Sequence, residues 1–359
     1  MSIHFHPLVI KEIRRETPDC VSLLFEVPET LAADFRFTQG QNLTLRTRIG
    51  GQDIRRSYSI CSAPFENQLR VAIKKVHGGV FSVFANEQLK PGDLLEVMPP
   101  VGKFFVPLEP ERGRHYLAIA AGSGITPILS IIKTVLHEEP KSRVTLVYGN
   151  RNRSSIIFGE TLEGIKNNYL DRFNLVPILS RERTDAAIHT GRIDRSKLEE
   201  LARLIPYRHM DEVFICGPEA MIFESRDYLV EKGVDARKIH FELFTTRGSA
   251  AKSQTRPLEE TKTGASASVT VQLDGRSFDF SIPFSSPLSL LDAALQQGAD
   301  LPFACKGGMC CTCKARLTEG DVSMDVHWGL DEEELAKGFI LTCQSHPRSE
   351  KIRVDFDQR

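Results

Sequence analysis

Apolar and polar residues alternate in short stretches through the first 105 residues of this 359-residue chain. Alternation with a period of two is typical of β-strands that bury one face. Turn-forming residues at Gly50-Gly51 and Lys90–Asp93 separate the stretches, and one amphipathic helix is predicted over Val80–Leu89. The pattern therefore predicts a small antiparallel barrel. Its predicted strands are Val21–Val27, Gln41–Arg48, Ser57–Ile60, Leu69–Lys75 and Leu94–Met98.

The pattern changes between residues 106 and 245, where nearly continuous apolar segments alternate with segments of helical periodicity. This rhythm favours an α/β domain with a doubly wound parallel sheet. Glycines and a proline interrupt the apolar run Tyr116–Leu136, so it predicts a strand and a helix instead of a membrane span. The predicted strands are His115–Ala121, Arg143–Tyr148, Asn174–Leu179 and Glu212–Cys216, and the predicted helices are Pro127–His137, Thr161–Asn168, Arg195–Leu204 and Pro218–Lys232.

A third pattern begins after residue 245. Residues 246–267 contain almost no large apolar side chains, which predicts a flexible linker. Beyond it, the alternating segments Val269–Leu273 and Ser277–Ile282 flank a hairpin signal at Asp274-Gly275-Arg276, and a helix is predicted over Leu288–Gln297. The predicted organisation is a barrel at 1–105, an α/β domain at 106–245, a linker at 246–267 and a third domain at 268–359.

Four cysteines near the C-terminus form the most specific chemical pattern of the chain. Cys305, Cys310 and Cys313 have the spacing C-x4-C-x2-C, and Cys343 follows. This is the plant-type spacing for a [2Fe-2S] cluster. The alternatives are a zinc site, which usually needs a second C-x2-C or histidines, and disulfides. Cys311 would change the spacing if it were a ligand, so we interpret it as a small filler residue.

The overall composition, with 26% charged and 41% hydrophobic residues, is that of an ordinary soluble globular protein. The net charge of −1 gives no support for a nucleic-acid or membrane partner. The first residues lack the basic start and long apolar stretch of a signal peptide. Apart from the four cysteines assigned to iron, the remaining thiols are expected to be free, as in the reducing cytoplasm.

A glycine-rich turn before a helix is the candidate nucleotide site. Gly122 and Gly124 permit a tight turn and close approach of the backbone to a ligand. Thr126 is predicted as the N-cap of the helix and Pro127 as its first residue, so that free N–H groups would face a pyrophosphate. The alternative is an ordinary tight turn, because the segment lacks the full GxGxxG fingerprint.

Two other strand ends add to this site. Ser180 and Arg181 follow a predicted strand, and a guanidinium suits the extra phosphate of NADP. The alternative for Arg181 is a solvated side chain in a charged run. Phe214–Met221, with the sequence FICGPEAM, repeats the order of strand, Gly-Pro turn and helix, and its turn is expected at the same sheet edge.

The barrel carries a candidate flavin site. A flavin needs an aromatic face, a hydroxyl near its polar edge and a cation for its phosphates, which Tyr58, Ser59 and Arg56 could supply. Gly79 precedes the predicted helix of the barrel, whose N-terminus offers a second phosphate site. Alone, these residues could equally belong to an ordinary strand and turn.

Taken in order, the segments RSYS, GGVFS, GSGITP, SRE and CGPEAM resemble the ferredoxin–NADP reductase superfamily, and the last third of the chain resembles a plant-type ferredoxin. The resemblance implies an FAD-binding barrel, an NAD(P)-binding domain and an α+β β-grasp domain with a [2Fe-2S] cluster. It implies catalytic roles for Ser59, Cys216 and Glu242. The residues that it implies for binding FAD, or FMN as the alternative, and NADPH are Arg56, Ser57, Tyr58, Ser59, Lys74, Gly79, Val80, Phe81, Ser82, Gly122, Gly124, Ile125, Thr126, Pro127, Ser180, Arg181, Cys216, Gly217, Pro218, Met221 and Phe244.

The C-terminal position of the ferredoxin narrows the resemblance to one group of oxygenase reductases. Within that group the chain is most similar to the reductase subunits of phenylacetyl-CoA epoxidases, which belong to phenylacetate catabolism. The resemblance implies an NAD(P)H-dependent oxidoreductase that passes electrons from NADPH through FAD and the cluster to a di-iron oxygenase. The alternatives are a reductase for a steroid or aromatic-ring hydroxylase or for a hybrid-cluster protein, and a redox-sensing module with a degenerate nucleotide site.

Charge is distributed unevenly along the chain. Residues 266–359 hold 14 acidic and 9 basic side chains, a balance of −5, which leaves +4 for the remainder. An acidic ferredoxin surface could steer docking to a basic partner. The alternative is that the acidic run Asp331–Glu334 only stabilises a helix N-terminus.

Overall fold

The computed structural model describes residues 4–244 and 265–358, which lie in two compact units, one ending at Phe244 and the other beginning at Thr245. Most of the predicted linker, residues 246–264, lies outside the described residues. The predicted domain boundaries stay predictions.

An antiparallel barrel forms the first part of the first unit. Its strands are β1 (His6–Thr17), β2 (Cys20–Glu26), β3 (Asn42–Ile49), β4 (Gln52–Ser59), β5 (Leu69–Lys74) and β6 (Leu94–Val97), with one helix, α1 (Val80–Glu87). They pair in the order β4-β3-β6-β1-β2-β5, and a bridge between Ile60 and Val71 joins the two ends. β1 was not among the predicted strands, because register shifts after Ile10 and Arg15 interrupt its alternation of apolar and polar residues.

A parallel five-stranded sheet forms the second part of the first unit. Its elements are β7 (His115–Ala121), α2 (Ile125–Glu138), β8 (Arg143–Asn150), α3 (Gly159–Asn168), β9 (Phe173–Leu179), α4 (Arg195–Leu201), β10 (Glu212–Gly217), α5 (Glu219–Glu231) and β11 (Ile239–Leu243). The strand order is β11-β10-β7-β8-β9. The order reverses between the neighbours β7 and β10, and ligands of such sheets bind beyond the carboxyl ends of the strands at this point.

The start of α2 differs from the prediction. Gly122–Gly124 form a 3₁₀ turn that continues directly into the helix, so Gly124 occupies the cap position and the helix begins at Ile125. Thr126 is therefore not the N-cap; its hydroxyl donates to the carbonyl of Ser123 at 3.0 Å. Pro127 is the third helical residue, where the missing N–H still costs no intrahelical bond.

Helix α2 also joins the barrel to the sheet. The Ser130 hydroxyl donates to the carbonyl of Ser62 at 2.7 Å, and the Lys133 ammonium lies 2.8 Å from the Glu66 carboxylate. Both partners belong to the segment that follows β4. These contacts fix the barrel strand that carries Tyr58 and Ser59 relative to the nucleotide edge of the sheet.

The second unit combines a mixed five-stranded sheet, a two-stranded sheet and two helices. Its elements are β12 (Ser266–Leu273), β13 (Arg276–Pro283), α6 (Leu290–Gln296), β14 (Lys314–Glu319), β15 (Val322–Met324), α7 (Glu332–Ala336), β16 (Phe339–Leu341), β17 (Ser345–Pro347) and β18 (Lys351–Asp355). The main sheet has the order β13-β12-β18-β14-β16. The predicted hairpin is confirmed: Asp274 and Gly275 both have positive φ, as a two-residue type I′ turn requires.

Among the described residues, no helix has both the length and the apolar character needed to cross a bilayer. The apolar run Tyr116–Leu136 is divided between β7 and α2, as predicted.

Candidate functional site

The loops that follow β7 and β10 are in tight contact at the carboxyl edge of the sheet. A Cβ atom on Gly124 would lie 2.1 Å from the carbonyl oxygen of Cys216, and one on Gly217 would lie 2.7 Å from the terminal methyl of Met221. The approach to the Cys216 carbonyl requires glycine at position 124, whereas the Met221 methyl at the end of a flexible side chain could shift. The two turns predicted as nucleotide-binding therefore lie side by side at the point where the strand order reverses.

Three predicted catalytic residues from distant parts of the chain also meet here. Cys216 on β10 is paired in register with Glu242 on β11. The hydroxyl of Ser59, at the end of β4, donates to the Glu242 carboxylate at 2.9 Å. Burial, assisted by the negative charge of Glu242, raises the pKa of the Cys216 thiol well above its usual range. The site thus combines a neutral thiol, a hydroxyl and a carboxylate, all buried.

The barrel side of the site is built on β4 and α1. The Tyr58 ring packs on the Phe81 ring, with 5.6 Å between centroids. Phe81 is itself part of the barrel core, so only its backbone can face a ligand. The Ser57 hydroxyl donates to the Asn42 side chain at 2.7 Å, and the Arg56 guanidinium donates to the carbonyl of Arg55 at 2.7 Å.

At the N-terminus of α1, the preceding loop is hydrogen-bonded to a side chain of the helix. The Ser82 hydroxyl accepts the backbone N–H of Val76 at 3.1 Å, and Gly79 occupies the cap position. Val80, the first helical residue, is 47% exposed, and Phe244, after β11, is 39% exposed. Both positions are predicted to contact FAD. Exposed apolar side chains at such positions are expected where a bound ligand would cover them.

Lys74, at the end of β5, lies beside the glycine-rich turn of the sheet. Its ammonium would be 3.8 Å from a Cβ on Gly122, a residue with a φ of +54°. The barrel thus supplies a cation to the predicted pyrophosphate position. The side chains of the predicted binding residues Ile125, Thr126 and Pro127 are buried in α2, so these positions can contribute only backbone groups. Pro218 occupies the cap position of α5.

Arginines gather where β8 and β9 end. The backbone N–H groups of Ser180 and Arg181 donate to the carbonyls of Asn150 and Arg151, at 2.9 and 2.8 Å. Glu182 accepts the backbone N–H of Arg153 at 2.8 Å and lies 3.2 Å from its guanidinium.

Arg151 and Arg153 were not among the predicted binding residues. The signal that could have found them is their position directly after a predicted strand, at the same sheet edge as Arg181.

In the second unit, the four predicted metal ligands form two pairs. A hydrogen bond with the Cys310 thiol lowers the pKa of Cys305 to about 6, and backbone N–H groups act in the same direction. A hydrogen bond with Cys343, together with burial, raises the pKa of Cys313. The hydroxyl of Thr342 donates to the carbonyl of Cys313 at 3.0 Å, which joins the two segments.

This arrangement fits a two-iron cluster, because each iron takes two cysteine thiolates. Within residues 4–244 and 265–358, no group of three or more Cys, His, Asp or Glu side chains is placed to hold a single metal ion. In the loop after Cys305, the backbone N–H of Gly307 donates a hydrogen bond to Cys305 Sγ at 3.3 Å. Positive φ angles at Lys306 and Gly308 accompany this turn.

The fifth cysteine of this loop, Cys311, bonds to a neighbouring segment. Its Sγ donates to the carbonyl of Gly329 at 2.9 Å. A Cβ on Gly329 would lie 2.5 Å from that sulfur, so the neighbouring segment packs closely on Cys311. Its φ of +57° is uncommon for a residue other than glycine. The geometry fits the interpretation of Cys311 as a filler and not a ligand.

The acidic run Asp331–Glu334 has a structural role at two of its four positions. Asp331 accepts the backbone N–H of Glu334 at 2.8 Å, which caps α7. Glu334 is buried and lies 2.8 Å from the Lys314 ammonium. Glu332 and Glu333 are exposed.

Models of three protein families match the chain. They are an oxidoreductase FAD-binding domain over residues 7–106, an oxidoreductase NAD-binding domain over residues 118–227 and a 2Fe-2S iron-sulfur cluster binding domain over residues 271–348. One of the subunits of the 1,2-phenylacetyl-CoA epoxidase of Escherichia coli is 43% identical over 99% of this chain and 98% of its own length. The chain belongs to the ferredoxin–NADP reductase superfamily, in the group with a C-terminal plant-type ferredoxin domain.

Other relatives of this reductase have the same layout. The ferredoxin reductase component of 3-ketosteroid-9-alpha-monooxygenase from Mycobacterium tuberculosis is 35% identical over 99% of this chain and 97% of its own. The solved structure of phthalate dioxygenase reductase covers 98% of both chains with a TM-score of 0.59 and 24% identity, which shows a shared fold.

The chain is therefore an oxidoreductase with FAD-binding, NAD-binding and 2Fe-2S domains, similar to the electron-transfer reductase components of oxygenases.

Proposed function

We propose that this reductase passes electrons from NADPH, through FAD and a [2Fe-2S] cluster, to the di-iron oxygenase of a phenylacetyl-CoA epoxidase. The observation that supports this acceptor is the full-length similarity to the Escherichia coli protein. The four cysteines outside the proposed ligand set, Cys20, Cys61, Cys216 and Cys311, are free thiols, which fits a reducing compartment such as the cytoplasm.

The residues around Cys216 would align the reactants. When bound, FAD would accept the two electrons of a hydride, and the cluster would accept them one at a time. The glycine-rich turn lets the pyrophosphate of NADPH approach the N-terminus of α2, with Lys74 as a cation beside it. Ser59, Glu242 and the neutral thiol of Cys216 form a buried wall that positions the nicotinamide against the flavin and excludes water.

Cys305, Cys310, Cys313 and Cys343 would hold the cluster, which supplies one-electron transfer. The N–H of Gly307, which already donates to a ligand sulfur, would stabilise negative charge there.

For the nucleotide, Arg181 would bind the 2′-phosphate of NADPH. Arg151 supports this role, because its carbonyl accepts the backbone N–H of Arg181, so a second arginine lies at the same strand end.

A second acceptor is proposed from the similarity to the M. tuberculosis protein: the oxygenase of a steroid monooxygenase. The two proposals share every cofactor step and differ only in the partner.

The decisive experiment is an anaerobic titration of the purified protein with NADPH and, in parallel, with NADH, followed by visible absorption and EPR. We expect the flavin bands to bleach and a rhombic signal of a reduced cluster to appear with NADPH. A spectrum without flavin or cluster bands in fully metallated protein would refute the electron path. Purified phenylacetyl-CoA and 3-ketosteroid oxygenases then serve as competing acceptors, and faster turnover with the steroid enzyme would overturn the proposed partner.

A further inference from the structure

The side chain of Gln344 connects the two segments that carry the cysteine pairs. Its amide nitrogen donates to the carbonyl of Lys306 at 3.0 Å and to the carbonyl of Cys343 at 3.0 Å, and it lies 3.7 Å from Cys343 Sγ. A primary amide has two N–H groups, which here serve three acceptors. Lys306 directly follows Cys305, so one side chain contacts both ends of the predicted ligand set.

The position of Gln344 is fixed from several sides. The backbone N–H of Gln344 donates to the carbonyl of Leu341 at 2.9 Å. The backbone carbonyl of Gln344 accepts the N–H of Asp325 at 3.0 Å. Its Cγ would be 3.2 Å from a Cβ on Gly308, so the side chain packs against the cluster loop. The amide is therefore held in place before any charge develops on the sulfur.

The carbonyl that Gln344 binds is equally constrained. The Lys306 ammonium lies 2.5 Å from the Asp292 carboxylate and 4.7 Å from the centroid of the Phe303 ring. The amide of Gln344 and the side chain of Lys306 are thus both held by neighbouring residues, with the amide nitrogen 3.7 Å from Cys343 Sγ.

We propose that Gln344 raises the reduction potential of the [2Fe-2S] cluster by donating an N–H to the sulfur of Cys343. This inference rests on the proposed function, in which Cys343 is a cluster ligand. One electron, supplied from NADPH, adds one negative charge to the irons and their sulfur ligands, and no bond breaks. A fixed N–H donor stabilises that charge more than it stabilises the oxidised centre, so it favours reduction.

A purely structural role makes a different prediction. If Gln344 only clamps the Lys306 loop to Cys343, its loss would speed the release of iron and leave the potential unchanged. Two variants of similar size separate these roles. Gln344→Leu removes the donor, and Gln344→Glu replaces it with a carboxylate oxygen at pH 8, where that group is ionised. Gln297→Leu is the matched control, because Gln297 lies in the same unit and, among the described residues, its amide donates only to the carbonyl of Ser281, at 3.2 Å.

The experiment is an EPR-monitored redox titration of the full-length protein with FAD and cluster bound, together with the rate of iron loss to a chelator. We expect the reduction potential of the cluster to fall in Gln344→Leu and to fall further in Gln344→Glu. The expected further fall is about 59 mV, which is about a tenfold change in the ratio of oxidised to reduced cluster. Gln297→Leu should match the wild type. Unchanged potentials in both Gln344 variants would overturn the proposal, whatever the iron loss. If the proposed function itself fails, the wild type will show no reduced-cluster signal.

Discussion

At the scale of single residues, the fifth cysteine of the cluster loop tests the assignment of the ligands. Cys311 is adjacent to Cys310 in sequence, yet its sulfur bonds to the carbonyl of Gly329. Cys343 is distant in sequence, yet its thiol is paired with that of Cys313. Neighbouring cysteines of this loop therefore have different partners, and the φ of +57° at Cys311 is uncommon for a residue other than glycine.

We expect Cys311→Ala to retain a full cluster and Cys343→Ala to lose it. Alanine removes the bond to Gly329 but leaves four thiolates, and the expected cost is about 1 kcal/mol of folding stability. Iron and sulfide content and the visible spectrum of the reconstituted proteins provide the measurement. A folded Cys311→Ala protein that cannot be reconstituted would mean that Cys311 is a ligand.

Arg181 decides which nicotinamide nucleotide is preferred, if its proposed role holds. We expect Arg181→Gln to raise the KM for NADPH by at least about tenfold, because a charge-assisted contact to phosphate contributes about 1.5–3 kcal/mol. The KM for NADH should change little, since NADH lacks the 2′-phosphate.

Steady-state kinetics with ferricyanide as acceptor measure both constants for Arg181→Gln. Arg183→Gln, in the same charged run, is the control and should behave as the wild type. Equal losses for both nucleotides would remove the proposed role of Arg181.

At the scale of elements, the contact between the β7 and β10 turns depends on Gly124. In Gly124→Ala the new methyl would overlap the Cys216 carbonyl, 2.1 Å away, so one of the turns must shift. We expect a loss of about 1–3 kcal/mol in the free energy of unfolding. Flavin reduction by NADPH should slow by up to about 100-fold, since small misplacements of reactants have effects of that size.

Denaturant unfolding and stopped-flow absorbance test both effects in Gly124→Ala. Gly164→Ala is the control: Gly164 lies within α3, and its Cβ position is open apart from its chain neighbours and the helix's own backbone, so alanine should stabilise that helix. If Gly124→Ala reduces its flavin at the wild-type rate, the turn contact does not position the nucleotide.

The same elements show what local sequence could and could not predict. The glycines of the β7 turn and the cysteine spacing were visible, because backbone approach and metal ligation each demand particular residue types. The Ser59–Glu242 bond spans 183 positions, and no local pattern specifies it. The predicted N-cap of α2, Thr126, was wrong because a 3₁₀ turn precedes the helix, which therefore begins nearer the N-terminus of the chain. For Gln344, the sequence offers no indication of a role apart from its position directly after the predicted ligand Cys343.

At the scale of the whole molecule, each of the two units has hydrophobic cores built from its own described residues. The barrel core and the core around α2 lie in the first unit. Every buried member of the third core falls between Ala267 and Phe356. Separate cores are the property that allows domains to fold alone.

We therefore expect a fragment of residues 1–264 to fold, bind FAD and oxidise NADPH with ferricyanide at the rate of the full-length protein. It should not reduce an oxygenase, because the proposed cluster ligands are absent while all the residues predicted to bind the nucleotide and the flavin are present. FAD content, ferricyanide reduction and oxygenase turnover, each compared with the full-length protein, provide the measurement. A fragment that folds but cannot oxidise NADPH would show that the ferredoxin unit contributes to hydride transfer, and the division of labour between the two units would then be wrong.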